Sequence, residues 1–193
     1  MFLEQFNQLN NIHQSSESIL ALEKFLSDVQ RVWTKDPEIQ EEESVLDHTR
    51  ESIELARKYS HIIEQYGGNP LRVVHLLEVH DIPEILTGDT DPRRIDAHVK
   101  HVREEWAMTL LISNPSDREA WQEYAEGESI DAQFAKAFDK MQFLLKLQKI
   151  GWRSEYPGAM RNYRKYFLPF PELLEIVDHP IFSTIVSSES TTI

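Results

Sequence analysis

Apolar residues along this chain recur at helical spacing nearly everywhere, and no stretch alternates apolar and polar residues as a half-buried strand would. Only six glycines punctuate 193 residues, so breaks are few and helix formers carry most of the length. Together these features restrict the fold to an all-α class, a helical bundle in which each amphipathic helix buries its stripe against others. The length suits a single domain whose core needs no staples.

Local signals divide the chain into helices. A first helix is expected over about Glu17–Trp33, with Ile19, Leu22, Phe25, Leu26 and Val29 on one face. Lys35–Glu43 is acidic, contains Pro37 and reads as a loop. Ser44 and Asp47 form a capping-box signature that opens a helix to about Tyr66, stopped by Gly67-Gly68. Pro70 fits the first turn of the next helix, which ends near Asp81, and Pro83 begins a new turn or kinks the old one before Gly88. After a loop over Asp89–Arg94, helices are expected at about Ile95–Ile112, from a Ser116/Glu119 capping box to Ala125, and over Ser129–Gly151. Two short helices, Ala159–Tyr166 and Pro171–Val177, precede a frayed SSESTTI end.

Composition narrows the function classes. Acids outnumber bases 33 to 20, a formal charge of −13, which speaks against a polynucleotide-binding protein and against docking on an anionic membrane. A small anionic substrate stays compatible, because a bound cation outweighs distant carboxylates at close range. The chain has no cysteine, so any metal site must use His, Asp and Glu. No stretch has the length of a transmembrane helix, and the N-terminus lacks the pattern of a signal peptide, so a cytoplasmic location is expected.

One constellation carries chemistry. Asp81 follows His80 directly, and adjacent helical residues point about 100° apart, so both can grip one ion only off the helix edge. Further ligands must come from other helices. His48 lies early in one amphipathic helix, and Asp139 lies inside the apolar AKAFDKMQFLL. Asp is a poor residue for a helix interior, and a carboxylate facing a core must be paired, hydrogen-bonded or metal-bound. Taken singly, His48 also reads as a capping-region histidine, and Asp139 as a partner of Lys136 or Lys140. Two imidazoles with two carboxylates suit manganese, cobalt, iron, nickel or zinc.

Three blocks resemble the HD superfamily, named for its His…His-Asp…Asp ligands, and within it the bacterial 5′-deoxynucleotidases and their archaeal and eukaryotic relatives. ESVLDH (Glu43–His48) matches the pattern E-S-V-x-[DE]-H, HDIPEILTGD (His80–Asp89) matches H-D-x-x-E-x-x-x-G-D, and KAFDKMQ (Lys136–Gln142) matches K-A-x-D-K-x. The resemblance runs over roughly residues 28–150 and implies one HD domain over 1–193, with an N-terminal helix and a C-terminal helical tail around that core. It implies His48, His80, Asp81 and Asp139 as ligands of one divalent transition metal, and Glu84 as the catalytic carboxylate. Glu84 follows His80 by four residues and Asp81 by three, so a continuing helix gathers all three on one side. Its alternative reading is a first-turn acid favoured by the helix dipole.

The same resemblance places Asp89 near the sugar or the catalytic centre, with a turn aspartate as the alternative. Glu123 in AWQEYAEGES is similar to a second acidic position of the family pocket, and a solvated helix face is its alternative. Arg31, Trp33 and Lys35 in QRVWTK match a segment that shapes the nucleotide pocket, but Val32 separates Arg31 from Trp33, and Lys35 replaces an arginine. A helix-end core aromatic is the other reading of Trp33. His98, Lys100, His101 and Arg103 read as a solvated face; Arg153, Arg161 and Arg164 are ambiguous. The expected activity is phosphate release from nucleoside 5′-monophosphates by a homodimeric enzyme. The alternatives are an HD hydrolase of a nucleoside triphosphate or modified nucleotide, and a non-catalytic metal-stabilised helical module.

Overall fold

The computed structural model describes residues 19–35, 39, 41–91, 94–151 and 156–178. Ten α-helices are seen among them: α1 (Ile19–Ser27), α2 (Val45–Lys58), α3 (Ser60–Gln65), α4 (Pro70–Val79), α5 (Glu84–Thr87), α6 (Ala97–Leu111), α7 (Pro115–Glu126), α8 (Ile130–Lys149), α9 (Tyr156–Tyr163) and α10 (Pro171–Val177). Two 3-10 turns, Val32–Lys35 and Arg164–Tyr166, complete the described secondary structure together with an isolated bridge between Gln30 and Ser44. The all-α expectation holds. The expected frayed end, Pro37 and Arg153 lie outside the described residues.

The longest helix, α8, is the axis of the fold. It packs against α2, α4, α7, α9 and α10, so it is apolar on most of its circumference, with Phe134, Phe138, Met141, Leu144 and Leu147 buried. Phe134 stacks on Phe170 with ring centroids 3.9 Å apart, and Tyr66 meets both rings edge-on. Asp139, 3% exposed, is thus carried into the same interior as these phenyl rings.

Several boundaries differ from the sequence expectations, each for a local reason. The first helix stops at Ser27 rather than Trp33. The returning segment takes over its backbone groups: Arg31 N–H donates to Glu43 O (2.9 Å) and Val45 N–H to Val29 O (2.8 Å). The predicted 44–66 helix is two helices, broken at Tyr59, whose ring stacks parallel to that of Phe138. Ser44 and Asp47 do form the reciprocal capping box. The Ser116/Glu119 box does not form, because Asn114 caps α7 two residues earlier, accepting from Ser116 N–H, with Pro115 in the first turn. The expected Ala159–Tyr166 helix runs as α9 and then tightens into the second 3-10 turn.

The connection from α4 to α5 positions the site. Pro83 has no N–H to donate, and the chain tightens through i→i+3 bonds: Ile82 N–H to Val79 O, Glu84 N–H to Asp81 O and Ile85 N–H to Ile82 O. The helical path therefore continues as a narrower coil instead of ending, and it keeps His80, Asp81 and Glu84 beside one another.

Candidate metal centre

Three separate segments bring the predicted ligands together. His48 sits in the second turn of α2, His80 and Asp81 lie just past α4, and Asp139 is at the middle of α8. Donor atoms of His48, His80 and Asp139 all lie within 4.8 Å of one another. Asp81 Oδ2 joins them at 3.1 Å from His80 Nε2 and 3.8 Å from His48 Nε2. His48 Nε2 is 3.1 Å from Asp139 Oδ1.

Three of the four ligands are held from behind. His80 Nδ1 donates to Leu77 O at 2.7 Å, because a carbonyl only accepts, and this turns Nε2 toward the centre. His48 Nδ1 is 2.6 Å from Gln142 Oε1. Asp139 Oδ2 accepts from Tyr124 Oη and Lys140 Nζ, both at 2.6 Å, leaving Oδ1 for the centre. Burial pushes the Asp139 pKa up, but the Lys140 ammonium and the His48 and His80 rings outweigh it and hold the carboxyl well below the usual range. Asp81 is likewise lowered against its burial, by His80 first and then by Arg31 and His48.

Two buried atoms at the centre have no hydrogen-bond partner, His80 Nε2 and Glu84 Oε2. Buried polar groups are normally satisfied, and an inward-facing imidazole nitrogen among carboxylates and a second imidazole is the donor set a divalent cation needs. The residues fit such an ion.

Glu84, 3% exposed, opens α5 beside this cluster. Burial and then the charges of Asp81 and Asp89 raise its pKa well above the usual carboxylate value, with Arg31 and Lys100 opposing. Arg31 Nη1 lies 3.5 Å from Asp81 Oδ2 and 3.9 Å from Glu84 Oε2, and Arg31 Nε lies 3.5 Å from Asp89 Oδ2. Asp89 Oδ2 also accepts Val32 N–H at 2.6 Å, so it fastens the turn that presents Arg31. Lys100 Nζ reaches within 3.7 Å of Glu84 Oε1 from α6 while pairing with Glu104 at 2.8 Å.

The remaining candidates stand elsewhere. Trp33 is 8% exposed, edge-on to Phe143, with Nε1 donating to Glu43 Oε2 at 3.1 Å. Glu123 pairs with Arg72 at 2.6 Å and accepts from the Ser129 hydroxyl; beside them His75 meets Asp117 at 2.8 Å. The side chain of Lys35 lies outside the described residues. Sequence reasoning passed over Gln142, Tyr124, Lys140 and Lys100 as site residues. Gln142 could have been found, since it follows Asp139 by three residues on one helix face. Lys100 was read with its basic neighbours as a solvated face, whereas it reaches Glu84.

A family model described as HD domain matches residues 24–160. The human protein named 5′-deoxynucleotidase HDDC2 is 31% identical over 132 residues, covering 65% of this chain and 63% of that protein. The Xenopus laevis protein of the same name is 25% identical over 177 residues, covering 84% and 86%. The matched part thus spans less than two thirds of the human relative's length. Among solved structures, a conserved hypothetical protein from Pyrococcus furiosus superposes with a TM-score of 0.68 at 19% identity, covering 83% of this chain and 95% of that one. A protein from Magnetospirillum magnetotacticum, described as a predicted metal-dependent phosphohydrolase, gives 0.61 at 23%, covering 88% and 94%. Those likenesses establish the fold, and the family match over most of the chain establishes more: with its His48, His80-Asp81 and Asp139 gathered at one point, this chain belongs to the HD domain family.

Proposed function

We propose that the chain is a metal-dependent phosphoric monoester hydrolase that releases phosphate from nucleoside 5′-monophosphates. The observation that carries this reading is the convergence of His48, His80, Asp81 and Asp139 beside Glu84, whose buried Oε2 has no hydrogen-bond partner. The names of the relatives supply the substrate class.

His48, His80, Asp81 and Asp139 would hold the cation; their donor set suits manganese, cobalt, iron, nickel or zinc. When bound, such an ion supplies Lewis-acid stabilisation of charge developing on the phosphoryl group. Glu84 orients the attacking water and takes up its proton at Oε2, the acid–base role that a buried carboxylate beside the reacting group fits. Arg31 offers a planar fork to phosphate oxygens, and Lys100 adds a second cation on the Glu84 side. Asp89 acts by holding Arg31. Trp33 and Glu123 are read as residues that shape the substrate pocket.

The HD domain is read as spanning the whole of 1–193, in a cytoplasmic homodimer. No described helix is long and apolar enough to cross a membrane. One face of α6 exposes Val99, Val102 and Trp106, an apolar row that a second copy would cover.

The test is phosphate release from a panel of nucleoside 5′-monophosphates by metal-stripped protein, resupplied separately with manganese, cobalt, zinc or magnesium. Metal-dependent release that disappears in Asp139→Ala supports the assignment. No release with any metal sinks it, and metal-dependent melting without turnover points to a structural module.

A further inference from the structure

We infer that Gln142, Glu43 and Trp33 form a buried relay that locks His48 in the tautomer carrying its proton on Nδ1, so that Nε2 is presented to the cation. These are positioning residues; none of them faces the centre itself. The inference rests on the metal-centre reading and deepens it.

The donor and acceptor count forces the arrangement. Gln142 Nε2 has two hydrogens, and two carboxylate oxygens take them: Glu43 Oε1 at 2.7 Å and Glu51 Oε2 at 2.6 Å. A flipped amide would set its carbonyl between two carboxylates, so the orientation is fixed by the network. Gln142 Oε1 is left facing His48 Nδ1 at 2.6 Å. A carbonyl oxygen only accepts, so Nδ1 carries a proton, and Nε2, 3.1 Å from Asp139 Oδ1 and 3.8 Å from Asp81 Oδ2, is the nitrogen left for the cation.

Glu43 is the anchor. It is 1% exposed, and a buried carboxylate persists only when paired and hydrogen-bonded. Lys146 Nζ lies 3.2 Å from its Oε1, and Trp33 Nε1 donates to its Oε2 at 3.1 Å. Lys146 also meets Glu51 Oε1 at 3.0 Å, which closes the network at a carboxylate whose side chain is 45% exposed. Glu43 opens the block ESVLDH and Gln142 closes the block KAFDKMQ, so the two blocks are one connected device. In this arrangement the indole of Trp33 acts through Glu43.

The experiment titrates cobalt into metal-stripped wild type, Gln142→Leu and Trp33→Phe by calorimetry, with apo melting as a fold control. Loss of such an outer partner weakens metal affinity about 10–100-fold, the change expected for Gln142→Leu, with a smaller loss in the same direction for Trp33→Phe. Nitrogen-15 NMR of the apo wild type reads the tautomer directly, a quantity that a merely structural role would not set, and the proton is expected on Nδ1 of His48. A folded Gln142→Leu whose Kd stays within about two-fold of wild type overturns the relay, given that range. An Nδ1 that carries no proton overturns it too, and this readout decides the matter if Gln142→Leu does not fold. Absence of cobalt binding by the wild type itself would instead refute the metal centre.

Discussion

Asp139→Asn in metal-stripped protein keeps the side chain's shape and removes one charge from the most crowded part of the site. Two effects oppose each other. Relief of repulsion from the other carboxylates of the cluster stabilises the variant, whereas Lys140, with Nζ 2.6 Å from Oδ2, loses its counter-ion. The carboxyl remains ionised well below its ordinary range despite burial, so the surrounding cations win and the charge stabilises the fold. Breaking a buried pair from one side costs about 3–5 kcal/mol. The Lys140 side chain is 27% exposed and partly rehydrates, which brings the expected cost to about 2 kcal/mol. For a chain of this length that lowers Tm by roughly 4–8 °C. Because folding lowers the pKa, the contribution is present above the ordinary value of 3.8 and is lost as pH falls through the folded value. Circular-dichroism melts in chelator should therefore show a Tm gap that holds from about pH 7 to about pH 5 and narrows below about pH 4. Equal melting at neutral pH, or a gap that widens on acidification, would refute the reasoning.

Glu84→Gln should lower turnover about 10²–10⁴-fold while metal affinity, measured by calorimetry, changes little; unchanged turnover removes Glu84 from the chemistry. Gly127 caps α7 at φ +70°, where an added Cβ would meet Lys136 Nζ at 2.6 Å and disturb that ammonium's bond to Ala125 O. Gly127→Ala should cost about 1–2 kcal/mol in urea unfolding, and a neutral result would mean the cap relaxes freely. Phe134→Ala removes a ring that is 0% exposed and stacked on Phe170, for an expected loss of about 3–5 kcal/mol with no change in cobalt affinity if the variant folds.

What neighbouring residues encode differs from what distant ones decide. Helix periodicity, the Ser44/Asp47 capping box, Pro70 in a first turn and the pause at Gly67 are written in neighbouring residues, so they were legible and they appear as read. Where two local signals competed, reading faltered: Asn114 with Pro115 took the cap from Ser116. The break after Ser27 was hidden because its cause is a strand-like pairing with residues 43–45, distant in the chain.

For the site, the sequence determined the donors: two imidazoles and two carboxylates in a chain without cysteine, one of them an aspartate set among phenylalanines, which burial alone makes demanding. The tertiary structure decided what surrounds them. Arg31 reaches Asp81 across 50 residues of chain, and Gln142 reaches His48 across 94. Lys100 arrives from a helix whose own pattern reads as solvated surface. The physical reason is that a helix repeat reports only which face a residue occupies. Which charge or lone pair meets it there depends on how other helices pack, and that information is carried by the whole core at once.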